Sequence, residues 1–346
     1  MKWLWKISLA LLFATVVTSA STAAYYFDKV NRVYEENAAN LFGENPRYHF
    51  SLIINSGDDD YWQDYKEGVF EAGKVHNAAI EYNPISEPDS IDKTVEYVNI
   101  ANKSRVDGII VNGKNSAEYS VAINRAAKSG IHIVVGVVES VDSNRLSYVG
   151  NNFYDYGVKA AKLISQASDK SLPINLAVIL SDSGHSDTDK TITSQSDIMM
   201  SGITSVIESE EKINLLSTLY RNSDLLGAED LTRNILTQHS DVDVIFCTNA
   251  KDTAAAARVI VERNLVGDVV IVGTGITDEI RHYIRKGIVL GVLDRNGYRA
   301  GYKSVEILCE SVGDSFQPSY INIATDIYTA INIDQKERGD TSQFKR

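Results

Sequence analysis

The chain has 346 residues, 44% of them hydrophobic and 23% charged, and carries a formal net charge of −12. This length favours two lobes over one core, and the composition excludes both a disordered chain and a multi-span membrane protein. The acidic balance excludes a phosphate-backbone partner, which needs clustered Lys and Arg, so no nucleic acid is expected.

The first predicted element is apolar. Met1-Lys2-Trp3-Leu4-Trp5-Lys6 precedes an uncharged stretch from Ile7 to Phe27. About 20 such residues can span a bilayer, and Lys2 and Lys6 would hold their end on the cytoplasmic side, leaving the remainder outside. Ala20-Ser21-Thr22-Ala23-Ala24 offers a small-residue cleavage site, so a cleavable signal peptide competes with an uncleaved anchor. Tyr25-Tyr26-Phe27 supplies the interfacial aromatics of an anchor, which is the preferred version. The expected location is the extracytoplasmic face of the cell membrane, or the periplasm or medium if residues 1–27 are removed. Residues 28–46 have helix formers without an apolar stripe and read as a stalk.

From Tyr48 onward short β-branched runs alternate with helix-length segments, the pattern of parallel sheets covered by helices. Strands are predicted over Phe50–Asn55, Ala78–Tyr82, Gly108–Val111, His132–Val138, Ser147–Val149, Leu176–Leu180, Leu215–Leu219, Val244–Cys247, Val269–Val272 and Leu290–Leu293. One sheet of that width is unusual, so two sheets of about five strands are expected, near the usual ~4–6. The fold class is α/β, with two doubly wound parallel-sheet lobes. Ligands of such sheets sit beyond the carboxyl ends of the strands, so two facing lobes make a cleft. Cys247 lies in an apolar run and Cys309 in a helical segment; both read as buried thiols.

The junction after the first strand reads Ser56-Gly57-Asp58-Asp59-Asp60-Tyr61-Trp62. Acids at a helix start cap backbone N–H groups, and the two rings could pack in the core or face a ligand. Adjacent helix positions cannot do the same thing.

Several blocks fall in one order: Asp107-Gly-Ile-Ile-Val-Asn112, Ala126-Ala-Lys-Ser-Gly130, Ser147-Tyr-Val-Gly-Asn-Asn152 with Gly157 beyond, Val244-Ile-Phe-Cys-Thr-Asn249, Val270-Ile-Val-Gly273, Ile288-Val-Leu-Gly-Val292 and Gly301-Tyr302. Together they resemble the type I periplasmic solute-binding proteins, the ribose-binding-like group whose lobes also form the core of LacI-type repressors. The resemblance covers about residues 48–333. It implies a three-strand hinge with crossings near Asn151, Arg295 and Ile327. Lobe one would be 47–150 plus 296–325, lobe two 151–295 plus 326–335, and 336–346 a polar tail. The repressor variety is set aside, because an apolar segment stands where a DNA-binding motif would be.

The same resemblance implies a small ligand, most simply a sugar, gripped by Asp59, Asp60, Tyr61, Trp62, Asn112, Asn152, Phe153, Asn249 and Arg295. Other family positions depart from the pattern. An Asp-Arg pair is replaced by Val137 and Val138, an Arg by Met199, an Asp by Gly275 and a Gln by Arg295. The Asp-x-Tyr-Trp run also resembles the periplasmic sensor of the trimethylamine N-oxide respiratory system, so a methylated amine such as trimethylamine N-oxide or betaine is the alternative ligand. Closure on the ligand would be read by the extracellular domain of a membrane sensor kinase or by an ABC permease. No HExxH, GxSxG or P-loop occurs, and the six histidines lack ligand spacing, so neither an enzyme nor a metal or other cofactor is expected. Ser181 to Asp189 fails the calcium-loop pattern, and Gly273 to Asp278 lacks the third glycine of a dinucleotide fingerprint.

Overall fold

The computed structural model describes residues 46–56, 60–87, 90–136, 143–167, 173–181, 194–210, 212–221, 227–313 and 316–335. The expected anchor and stalk, Asp58 and Asp59, Val137 and Val138, most of the 181–189 loop and the polar tail lie outside these residues. Among the described residues no helix is long and apolar enough to cross a membrane.

Lobe one is built on β1 (Tyr48–Asn55), β2 (Ala78–Ile85), β3 (Gly108–Asn112), β4 (His132–Gly136) and β5 (Ser147–Gly150). Between them run α1 (Asp60–Val75), α2 (Ile91–Ser104) and α3 (Ala117–Lys128). Lobe two follows with α4 (Phe153–Ile164), β6 (Ile174–Leu180), α5 (Gln195–Glu210), β7 (Ile213–Tyr220), α6 (Ala228–Gln238), β8 (Val244–Cys247), α7 (Ala250–Glu262), β9 (Val270–Thr274), α8 (Asp278–Arg285) and β10 (Val289–Asp294). The chain then returns through α9 (Gly297–Val312) and β11 (Tyr320–Asn322), and ends on β12 (Asp326–Thr329) and a 3₁₀ turn, Ile333–Gln335.

The two six-stranded sheets have matching orders, β11-β5-β4-β3-β1-β2 and β12-β10-β9-β8-β6-β7. Every pairing is parallel except β10 with β12. All ten predicted strands form. β11 was not anticipated, and β12 was expected only through the resemblance, as the C-terminal strand returning to lobe two; the two are three and four residues long and at most half-buried.

Central strands are buried on both faces, which is why Leu52 to Ile54 in β1 and Ile109 to Val111 in β3 read as unbroken apolar runs. On one face of sheet one, Leu52, Ile54, Ile110 and Val134 pack with α1 and α9; on the other, Ile53, Ile109, Val111 and Ile133 pack with α2 and α3. Lobe two repeats this, with Val178 and Phe246 against α4 and α5, and Ile179 and Ile245 against α6, α7 and α8. Cys247 and Cys309 are free thiols, one in each lobe's core, and burial pushes the Cys309 thiol up to about 12.

The helix pairs nearest the hinge cross through glycine. A Cβ on Gly301 would stand 2.0 Å from the Tyr65 carbonyl oxygen, and one on Gly68 2.0 Å from that of Tyr298, so α1 and α9 touch backbone to backbone. Gly157 and Gly202 do the same for α4 and α5, facing the carbonyls of Met199 and Tyr154 at 2.0 and 2.2 Å.

Candidate functional site

The chain passes between the sheets three times, after β5, after β10 and between β11 and β12. The first two crossings leave from carboxyl ends of parallel strands. Those ends in both lobes therefore lie on the side where the lobes meet, the position that ligands occupy in open α/β sheets.

One side chain ties the crossings together. Asn151 is 4% exposed, and its Nδ2 donates to the Arg295 carbonyl (3.1 Å), the Ile323 carbonyl (2.8 Å) and Thr325 Oγ1 (3.5 Å). Asn296, held at φ 54°, donates its Nδ2 to the Ala324 carbonyl at 2.8 Å and to Asp326 Oδ2 at 3.0 Å. The Asn152 backbone N–H donates to Asn322 Oδ1 at 3.0 Å.

In lobe one the first turns of α1 present Tyr61, Trp62 and Tyr65 as one aromatic layer. Tyr61 meets Trp62 edge to face at 5.3 Å, and Trp62 lies 5.6 Å from Tyr65. Tyr65 is fully buried and its hydroxyl is 2.8 Å from Ser304 Oγ, which itself donates to the Ala300 carbonyl. Tyr65 is therefore the donor to Ser304, and burial raises its pKa. Asn112 ends β3 on the same face as Ile110, the face this aromatic layer covers. Asn112 is 6% exposed, and its Oδ1 has no hydrogen-bond partner among the described residues.

Lobe two faces the hinge with a parallel device. Tyr156 and Thr274 hydroxyls lie 2.5 Å apart, and Thr274 donates to the Cys247 carbonyl at 3.1 Å, so Tyr156 donates to Thr274. Burial pushes the Tyr156 phenol up to about 12, opposed by Thr274 and by the charge of Arg295. Phe153 stands 6.2 Å from Tyr156. Between the lobes, the Arg295 guanidinium carbon sits 4.0 Å from the centre of the Tyr61 ring.

A family model described as a periplasmic binding protein domain matches residues 50–313, most of the chain. The chain belongs to this family. It is 20% identical, over 76% of its length and 84% of the relative, to the D-allose-binding periplasmic protein of Escherichia coli (strain K12). Among solved structures, GanP, a glucose-galactose binding protein from Geobacillus stearothermophilus, superposes with a TM-score of 0.71 at 24% identity, covering 83% of this chain and 98% of that one. The XylFII–LytSN complex gives 0.69 at 25% identity, covering 83% and 99%. The fold and relatives are those of solute-binding, non-catalytic proteins, and among the described residues no group of His, Cys, Asp or Glu could hold a metal ion.

Of the residues the sequence nominates, Tyr61 meets both Trp62 and Arg295, Asn112 ends β3 on the sheet face that this aromatic layer covers, and Phe153 stands beside Tyr156 in lobe two. Asp60 opens α1 as an exposed first-turn acid. Asn152 and Asn249 are N-caps: the Oδ1 of each accepts a backbone N–H, from Asp155 at 3.1 Å and Asp252 at 3.0 Å. Asp59 is outside the described residues. Of the departures from the family pattern, Met199 is 4% exposed in the core between α4 and β6, and Gly275 sits at φ 76° with Ala250 Cβ 3.0 Å from where its own Cβ would be. Neither presents a polar group.

Sequence reasoning passed over Tyr65, Tyr156 and a cluster at the rim of lobe two. There Asp252, 2% exposed, accepts from Ser181 Oγ and pairs with Arg221 Nε at 3.1 Å. Burial raises the Asp252 pKa against the pull of Ser181 and Arg221. The two tyrosines carried a signal in their helical spacing behind Tyr61 and Phe153. Arg221 and Asp252, far apart in sequence, carried none.

Proposed function

We propose that this chain is an extracytoplasmic receptor that closes its two lobes on one small sugar and presents the closed form to a membrane partner. The observation that supports a sugar most directly is Asn112. Its carboxamide oxygen is buried beside an aromatic layer without a donor, and leaving such an acceptor unpaired costs about 1–3 kcal/mol. A sugar hydroxyl supplies that donor and offers an apolar ring face to Trp62 or Phe153. Trimethylamine N-oxide and betaine have no O–H or N–H to give, and the Tyr61 face that would receive their methyl groups already carries Arg295.

The mechanism is a population shift. A ligand that touches both lobes favours the closed form by its differential affinity for it, through strands tied by Asn151 and Asn296. The lobe boundaries we propose are 47–150 plus 296–325 and 151–295 plus 326–335. Residues 1–27 would keep the receptor at the membrane, or, if cleaved, direct it outside. The partner is the extracellular domain of a sensor kinase, with an ABC permease as the competing role; that the XylFII relative forms a complex with LytSN supports a protein partner for this fold.

A thermal-shift panel of pentoses, hexoses, trimethylamine N-oxide and betaine tests the ligand class, since a ligand at 100 times its Kd stabilises the folded state by about 2.7 kcal/mol. A shift with a sugar and none with the amines is expected. A shift with an amine alone would overturn the sugar reading.

A further inference from the structure

Arg295 is the polar group at the hinge whose chemistry is least used. Arg221, Arg233, Arg258 and Arg285 each reach a carboxylate. The Arg295 guanidinium makes no hydrogen bond or ion pair with any described residue; it lies over the Tyr61 ring, and the Arg295 backbone carbonyl accepts from Asn151. It is half-buried at the second crossing, directly after β10 of lobe two, and lies over a ring on α1 of lobe one, so it stands between the two lobes.

A guanidinium whose carbon lies 4.0 Å over a ring spends no N–H on that contact, so the fork of donors along its edge stays available. That edge matches a carboxylate, which accepts two parallel hydrogen bonds from it. Tyr61 links this cation to the rest of the cleft, because Tyr61 packs with Trp62 on the sheet face that Asn112 terminates. One region of the cleft thus holds an unused fork of donors and, across the aromatic layer, an unpaired buried acceptor. Neutral sugars can meet both demands, because hydroxyl oxygens accept from a guanidinium, but a carboxylate accepts through two charge-assisted bonds, each roughly twice as strong as a neutral one.

We infer that the ligand is a sugar acid, a uronate or aldonate, with its carboxylate on the Arg295 fork and a hydroxyl on Asn112 Oδ1. The inference rests on the sugar reading above and narrows it. The net charge of −12 does not oppose it strongly, because exposed charges more than about 8 Å away are screened at physiological salt. Asp60 and Asp64 on α1 are both exposed, and Asp252 is already paired with Arg221.

The test is titration calorimetry on the full chain with matched pairs, galacturonate against galactose and glucuronate against glucose, together with gluconate. At least one acid is expected to bind about 10- to 100-fold more tightly than its neutral partner, and R295Q to weaken the acid at least tenfold more than it weakens the neutral sugar, so that the margin between them closes. R295K, a point charge without the fork, should recover only part of it. An unchanged melting temperature of the ligand-free R295Q protein shows that the fold is intact. If neutral sugars bind as tightly as their acids, or if R295Q leaves the margin in place, the sugar-acid inference fails and the sugar reading stands. If no sugar or sugar acid binds, both fail.

Discussion

Replacing Asn151 with alanine removes the one side chain that touches all three crossings. Its Nδ2 bonds to the Arg295 and Ile323 carbonyls are short, 3.1 and 2.8 Å, and the third contact, to Thr325 Oγ1, is at the 3.5 Å limit and adds little. Two good bonds are worth about 1 kcal/mol each, and stranding their carbonyls in a site only 4% exposed adds to this, so a loss of about 2–3 kcal/mol is expected. For lobes of this size that corresponds to a fall in Tm of about 5–10 °C. Urea unfolding followed by tryptophan fluorescence reads the loss as a shifted midpoint at constant slope. Asn151→Asp has the same shape but no N–H to give, and its charge would face two carbonyl oxygens, so it should fall at least as far. An alanine variant within about 0.5 kcal/mol of the parent would refute the idea that this carboxamide ties the hinge.

Three further outcomes follow from the packing and charge. Gly157→Ala puts a methyl carbon 2.0 Å from the Met199 carbonyl oxygen, so α4 and α5 must part, at a cost of about 1–3 kcal/mol seen in thermal melts; an unchanged Tm would contradict the close crossing. Asn112→Leu removes a buried unpaired acceptor, so the ligand-free protein should gain up to about 1 kcal/mol while ligand affinity drops at least tenfold; a variant that still binds would move the ligand elsewhere. Asp252 has a raised folded-state pKa, so its unfolded carboxyl ionises first. Stability should therefore be lost as pH rises from the ordinary value of 3.8 through the folded pKa, and Asp252→Asn should remove that part of the slope while losing the Arg221 pair, as denaturation at a series of pH values will show.

The central strands of both lobes were legible because they are buried on both faces, and Leu52 to Ile54 in β1, Ile109 to Val111 in β3 and all of β8 are apolar, whereas β2 and β7 are only partly buried. β11 and β12 were not legible, since Tyr-Ile-Asn and Asp-Ile-Tyr-Thr become strands only by pairing with β5 and β10. The site was legible residue by residue, and less so in its chemistry. Asn152 and Asn249 stand three residues before Asp155 and Asp252 at helix starts, and that local capping spacing competes with a ligand role in the same letters. The Arg295 and Tyr61 contact could not be read at all, because the residues belong to different lobes' segments and meet only when the second crossing is formed.

The described chain enters on one body and leaves on the other. Tyr48 begins the central β1 of lobe one at the end of the sheet away from the hinge, whereas Ile333 is fully buried in lobe two and its neighbour Asp334 is tethered to Arg285. Closure of the lobes is expected to change the span between these two points. A donor dye near residue 47 and an acceptor near residue 331, whose side chain is 92% exposed, would make the molecule its own strain gauge. Such a gauge would report occupancy without any knowledge of the ligand's identity.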